Sequence, residues 1–471
     1  MSLELNSINV IDEQQRHGRP RNLFWPWCAA NVSFLAISYG AYFLGFGISI
    51  WQVIITAIIG TVGSFALVGI SSLAGKRSNA PTMVLSRAAF GTQGNVVPGL
   101  LSYLIFVGWE TVLVSLSALA TQTVLTEVGN VSTNLARIIG FGVAAGLTIA
   151  GGVLGFHTIM RLQRWLTIAT LFLSFGYIAL TVQHINTTAL QQLPHGNMQA
   201  FIGATIFGIA GIGLGWVNCA ADYSRYLPRS SSSRGVVGWT IFGASIVPIV
   251  MVIYGALLAG SDSQLSDKIA TDPIGALTSV LPTWYLIPFA LVAVLGLVGG
   301  AILDLYSSGL TLVSIGLPVK RHVAASIDAI IMLIGTIYFV WIADNFFGAF
   351  QGFLITLGVP IAVWSGIFVA DVLLRSKDYD EASLLGTNGI YGRWNMRSIA
   401  LLAVGSFVGW GLVTNTFAGW LSWQGYLLGP LGGKTGPWAF ANIGVIVALA
   451  IGFVGHALIG RSRILMQEAH R

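Results

Sequence analysis

Two acidic residues stand where acids are costly. Glu110 lies in Phe106-Val107-Gly108-Trp109-Glu110-Thr111, and Asp304 in Gly299-Gly300-Ala301-Ile302-Leu303-Asp304-Leu305-Tyr306, each inside a long apolar run. A carboxylate at membrane depth costs at least about 2.5–3.5 kcal/mol, so each reads as a functional group, able to accept from a solute N–H or to carry a proton. The plainer reading of each is a structural acid bonded to a neighbouring hydroxyl or backbone group. Phe106 and Glu110 are i and i+4, so they share a helix face. Trp109 is offset and is expected to face a neighbouring helix. Trp216 stands two residues before Asn218 in a Gly-rich stretch. An aromatic face beside an acid or an amide suits a planar, hydrogen-bonding solute, although most of the 15 tryptophans must be packing or interfacial residues. Asp222, Arg225 and Asp371 fall at the ends of apolar runs and read as structural or gating groups.

The elements that position these residues are membrane helices. Of 471 residues, 55% are hydrophobic and 8% charged, against about 25% charged in soluble domains. A soluble chain so poor in charge exposes too much apolar surface to stay dissolved. A spanning helix needs roughly 20 apolar residues. Twelve runs qualify, near 24–47, 51–75, 97–125, 134–155, 165–183, 201–221, 236–258, 284–315, 323–343, 346–373, 397–420 and 437–459. The stretch 274–282 is apolar but too short to span, and is expected to lie over the outer face. With the N-terminus inside, 20 of the 23 lysines and arginines fall in inner tails and loops, leaving Arg137, Lys268 and Lys434 outside. Cytoplasmic loops are the richer in Lys and Arg, so both termini are expected to be cytoplasmic and the chain to sit in the cell membrane. The formal charge of +6 is therefore read as a topology signal, and no nucleic-acid partner is expected.

Two runs contain breaks. The first holds Ala29-Ala30-Asn31-Val32-Ser33 followed by Ala36-Ile37-Ser38-Tyr39-Gly40, and the sixth holds Gly208, Gly211, Gly213 and Gly215 within eight residues. Each glycine weakens a helix by up to about 1 kcal/mol relative to Ala. In a bilayer every backbone group needs an internal partner, so a broken helix marks a protein-lined cavity. The two breaks are five runs apart, as are the runs carrying Glu110 and Asp304, which points to inverted repeats with a site at the midplane. The alternative is that the glycines only let helices pack closely. Nothing in the chain looks enzymatic. There is no nucleotide-binding P-loop, the histidines near loops (His157, His184, His195, His322 and His456) lack metal-ligand spacing, and Cys28 and Cys219 offer no disulfide framework.

At these residues the sequence resembles the nucleobase–cation symport-1 family, whose members include cytosine permeases and carriers of purines, allantoin and hydantoins. The resemblance runs through Leu23-Phe24-Trp25 to Ala30-Asn31, Gly75-Lys76-Arg77-Ser78-Asn79-Ala80-Pro81, Arg87-Ala88-Ala89-Phe90-Gly91, Gly215-Trp216, Asp222 to Tyr226, and Leu305-Tyr306-Ser307-Ser308-Gly309-Leu310. It implies an all-α membrane protein of twelve helices with a LeuT-type five-plus-five inverted repeat. The boundaries are then a tail over 1–22, a first repeat over 23–200, a second over 201–380, two further helices over 381–460, and a tail over 461–471. It also implies a substrate site at Phe106, Glu110, Trp216 and Asp304, to which Ser33 and Asn218 in the two breaks are added. Related carriers often place an amide where Glu110 and Asp304 stand, and a carboxylate there favours N–H-bearing rings such as guanine, adenine or cytosine, or a cationic ring such as thiamine or a pyridoxine-like base. Sodium-coupled members carry paired hydroxyls on the eighth helix where this chain has Gly299-Gly300-Ala301.

The expectation is a secondary transporter, not an enzyme, importing a planar nitrogen heterocycle by alternating access. A nucleobase comes first, with allantoin, a hydantoin or a B-vitamin base as the alternative and a passive channel as the rival class. No cofactor, metal or obligate protein partner is expected. H⁺ is favoured over Na⁺ as the coupling ion, with Asp304 the proton carrier and Glu110 the substrate acceptor. A desolvated carboxyl holds its proton more tightly and can exchange it near neutral pH.

Overall fold

With no water at membrane depth, a chain this apolar satisfies its backbone by helix formation. The computed structural model describes residues 8–154, 156–342, 346–386, 389–417 and 419–470; the first seven residues and the predicted helix ends at 155 and 343 lie outside them. The principal helices are α1 (Phe24–Asn31), α2 (Leu35–Leu44), α3 (Ile50–Ser78), α4 (Val96–Gly129), α5 (Thr133–Leu154) and α6 (Phe156–Thr181), then the composite α7 (Met198–Ser224). They continue as α8 (Ser233–Ser261), α9 (Leu286–Ser314), α10 (Arg321–Trp341), α11 (Phe346–Leu374), α12 (Met396–Gly411), α13 (Gly444–Ile459) and α14 (Arg461–Ala469). Among the described residues nine helices, α3 to α11, are long and apolar enough to cross a membrane. Two bent pairs, α1 with α2 at 67° and α13 with α14 at 51°, bring the number to eleven if each pair is one span, and α12 is apolar but shorter.

The core is built around α9, which packs against α1, α4, α5, α6 and α10, while α8 packs on α1, α2 and α3. Small residues bring α2 and α8 into backbone contact: a Cβ at Gly255 would lie 1.8 Å from the Ile37 carbonyl oxygen, and one at Gly40 2.1 Å from the Ala256 nitrogen. Such close approach is how membrane helices gain contact where no hydrophobic force separates protein from lipid. Buried arginines satisfy helix ends, whose last carbonyls have no partner of their own. Arg321 donates to Gly152 O (2.9 Å) and Val153 O (2.7 Å) at the end of α5. Arg87 donates to Ser314 O at the end of α9 and to Leu384 O.

The segment expected to lie over the outer face is not superficial. Residues Gly275–Val280 form a 3₁₀ turn with Gly275, Ala276, Leu277 and Thr278 buried. Side chains of two helices hold it there: Ser38 Oγ of α2 donates to Pro273 O just before the turn, and Tyr177 Oη of α6 donates to Leu277 O at 3.3 Å.

The tail after residue 8 lies against the face where α3 and α7 end, here called the tail face. Asn79, the left-handed cap of α3, exchanges hydrogen bonds with Ile11. Arg229, just beyond α7, pairs with Glu13 (2.9 Å) of the tail and with Asp378 (3.4 Å) and Glu381 (2.5 Å) beyond α11. Arg77 at the end of α3 also reaches Asp378 (3.4 Å). The two cysteines, Cys28 in α1 and Cys219 in α7, are free and buried.

Candidate functional site

Both expected breaks occur. α1 ends with Val32 N donating to Cys28 O (2.8 Å), the chain turns at Val32-Ser33-Phe34, and Ser33 Oγ accepts from Leu35 N (3.2 Å) at the start of α2. In α7 the α-helix Met198–Gly208 gives way to a π turn over Ile209–Gly213 and a 3₁₀ stretch over Leu214–Cys219 before α-helix resumes at Ala220. Widened π turns release carbonyls and recur at functional sites; here Tyr39 Oη of α2 donates to Gly211 O at 3.2 Å.

A cavity of about 80 Å³ lies between these breaks. Since one water needs roughly 10–15 Å³ measured this way, it holds several waters or one small ring. Its wall comprises Asn31, Ser33 and Tyr39 of the first break, Phe106 and Trp109 of α4, Gly211 and Trp216 of α7, and Asp304 of α9. Trp216 is held edge-on by Trp27 (6.0 Å, 85°), which is held edge-on by Tyr223 (5.5 Å, 85°). A wider vestibule of about 710 Å³, bounded by Tyr42, Phe207, Asp267 and Asn442 among others, shares Ala210 and Gly211 with the cavity. It lies toward the face opposite the tail.

Of the six expected site residues, Ser33, Phe106, Trp216 and Asp304 line this cavity, and Glu110 and Asn218 do not. Asn218 is buried, with its Nδ2 donating to Gly215 O (2.9 Å), where it ties off the 3₁₀ stretch. Glu110 is fully buried and faces Asp328 of α10, which also receives Ser308 Oγ. One turn beyond Phe106, the 40° advance of an i+4 position carries Glu110 past the cavity edge into the α4–α10 interface. Trp109, expected to face a neighbouring helix, has its indole beside Gly215 of α7 and also lines the cavity. Sequence reasoning also passes over Asn31, whose amide donates to Trp27 O (2.8 Å) beside the cavity, and over Asp328. The signal for Asp328 was available, since it is an acid inside the apolar run 323–343.

Asp222 and Asp371, at the ends of their helices, are taken up by neighbouring groups. Asp222 accepts from Thr82 N and Thr82 Oγ1 (both 2.8 Å), clamping α7 to the turn after α3. Asp371 binds Arg375 through both oxygens (2.6 and 2.9 Å).

A family model described as "Permease for cytosine/purines, uracil, thiamine, allantoin" matches residues 10–429. The chain belongs to this permease family. YxlA of Bacillus subtilis, which carries a provisional purine-cytosine permease name, is 24% identical over 402 residues, covering 84% of this chain and 85% of that one. The purine-cytosine permease FCY21 of Saccharomyces cerevisiae is 25% identical over 272 residues, 55% of this chain and 48% of its own length. Mhp1, a nucleobase-cation-symport-1 family transporter solved in a closed conformation with bromovinylhydantoin bound, superposes with a TM-score of 0.73 at 17% identity over 99% of this chain and 100% of Mhp1. A Na⁺-coupled sialic acid symporter gives 0.64 at 11% identity over 98% of this chain and 92% of its own. These likenesses show the fold. Membership of the permease family makes the protein a membrane transporter and not an enzyme, and its described residues form helices and no strands.

In this permease the glycines of α9 meet the broken end of α1. A Cβ at Gly299 would lie 3.0 Å from Ala29 O, and one at Gly300 3.5 Å from Ala30 O. Gln163 of α6, fully buried, donates its Nε2 to Gly299 O at 2.8 Å and so joins α6 to α9 at this point.

Proposed function

We propose that this permease imports a planar nitrogen heterocycle, a nucleobase such as cytosine or a purine, by alternating access and in symport with protons. The observation that carries the reading is one wall of the cavity: the aromatic side chains Phe106, Trp109 and Trp216 gathered around the single carboxylate Asp304. Aromatic faces stack on a flat ring, and a carboxylate accepts from the N–H and amino edges of cytosine, adenine or guanine. Asp304 takes the substrate-facing role together with Asn31 and Ser33. The relatives' names support nucleobase transport. The same carboxylate suits a cationic ring, and the family description includes thiamine, so a B-vitamin base is the second reading.

The α1/α2 bend and the π turn of α7 support the five-plus-five inverted repeat. The twelve-helix count follows if α1 with α2, α12 and α13 each cross once. The Lys- and Arg-rich loops support cytoplasmic termini and a place in the cell membrane. The vestibule then opens outward and the tail face closes the cytoplasmic side. Proton coupling is supported by the buried acids and by glycine at positions 299 and 300, which bring no side-chain oxygen of their own for Na⁺; the side-chain oxygen near them is Gln163 Oε1, 3.5 Å from a Cβ placed at Gly299. Purified protein should be stabilised thermally by cytosine, adenine or guanine and not by sialic acid, because a ligand binding only the folded state raises its stability with concentration. In proteoliposomes uptake should follow an imposed pH gradient and ignore a Na⁺ gradient. No shift with any nucleobase, or strict Na⁺ dependence, overturns the substrate or the coupling ion respectively.

A further inference from the structure

Behind the cavity wall three acids from three helices converge. Asp304 of α9 faces the cavity, Asp328 of α10 lies beyond it, and Glu110 of α4 meets Asp328 from the other side. Glu110 is 0% exposed, and among the described residues no N–H or hydroxyl donates to either of its carboxyl oxygens. Its neighbour Asp328 takes Ser308 Oγ on one oxygen, with Tyr103 of α4 alongside, while its other oxygen receives no such donor. Among the described residues no cation closes the group. The arginine of α10, Arg321, is spent on the Gly152 and Val153 carbonyls and on the face of Tyr306. From α5, Arg137 is bound to Gln122, and α11 brings Phe353 against Gly108 of α4. Two carboxyls in contact without a cation satisfy each other only when one is an acid, donating O–H to the other's oxygen.

We propose that Glu110 and Asp328 form one proton-binding site in the α4–α10 interface, loaded from the cavity through Asp304. The proton bridges one Glu110 oxygen and one Asp328 oxygen. Transfer to Asp304 leaves the pair doubly ionised, and that state is relieved by separating α4 from α10 or by recapturing a proton. The site's part in coupling rests on the proton-symport reading above; its protonation does not.

Two measurements keep these apart. Infrared difference spectra of the purified protein at pH 7 should show the C=O stretch of a protonated carboxyl, lost in Glu110→Gln and in Asp328→Asn and kept in Asp304→Asn. Absence of that band from the wild type, or its survival in both single variants, overturns the site. In proteoliposomes carrying radiolabelled cytosine or adenine, Asp328→Asn should keep counterflow exchange at zero proton gradient and lose at least tenfold in accumulation driven by a pH gradient. Asp328→Glu should restore accumulation. Retained accumulation in Asp328→Asn overturns the coupling role. So does loss of exchange in a variant whose melting temperature is unchanged, since Asp328 would then serve substrate binding. If the wild type takes up neither base, the substrate reading fails, and the infrared arm still decides the proton site.

Discussion

Among single residues, the cavity wall divides the work between stacking and hydrogen bonding. Trp216 has one ring edge fixed by Trp27, so its orientation is set before any substrate arrives. Replacing it by Ala removes a preset stacking face worth about 0.5–1.5 kcal/mol beyond area, and nucleobase affinity measured by calorimetry should fall roughly tenfold. Asp304→Asn keeps the shape but replaces two acceptors by one acceptor and two donors. Binding of cytosine should weaken while thermal stability holds; equal binding would leave Asp304 without a substrate role. The identity of these wall residues was legible, because an acid in an apolar run and an aromatic beside a helix break are exceptional by type. Their direction was not. Glu110 and Trp109 are adjacent in sequence, and which of the two meets the cavity depends on the rotation of α4 against α9 and α10, a quantity that no local pattern carries.

For the helices, the two breaks were legible and their mechanism was not. Clustered glycine in α7 announces weak helix, but only tertiary contacts choose a π turn followed by 3₁₀ over a clean gap. The buried 3₁₀ turn at Gly275–Val280 shows the same limit: a run too short to span could lie on the surface or be drawn in, and the donors Ser38 and Tyr177 decided it. Contacts between helices also carry stability. Gln163→Leu should lower stability by about 0.5–1.5 kcal/mol, the net worth of the lost bond to the Gly299 carbonyl, which keeps its own helical partner, visible as a small drop in melting temperature. Gly255→Ala places a methyl against the Ile37 carbonyl, and overpacking of this kind costs typically about 1–3 kcal/mol. It should reduce the yield of folded protein more than Gly238→Ala on the same helix, where a Cβ meets nothing within 4 Å.

Across the whole molecule, the ion pairs of the tail face join the tail, the end of α7 and the segment after α11, and those parts must separate if the cavity is to open there. Burial pushes Glu13 up, yet hydrogen bonds from Asn79, Arg16 and Arg229 outweigh it and hold its carboxyl below the ordinary 4.5. A lowered acid contributes closure that is present above its ordinary value and lost as pH falls through its lowered one, so the Glu13 part of the latch is in place at neutral pH and is lost as pH falls through that lowered value. Glu381 is the opposite case: burial raises its pKa despite the contact with Arg229, so Glu13 is the firmer partner. High salt should loosen the network at neutral pH, since exposed pairs are screened within about 10 Å at 0.1 M. The two native cysteines turn this into something that can be timed. Cys28 in α1 and Cys219 at the end of the 3₁₀ stretch of α7 are both buried, on two elements packed together through Trp27 against Trp216 and Tyr223. They are sealed while that face is shut, so their capture by a membrane-permeant maleimide is a clock for its opening. Arg229→Gln should run that clock faster in an otherwise unaltered chain, and a saturating cavity ligand that favours the outward state should slow it.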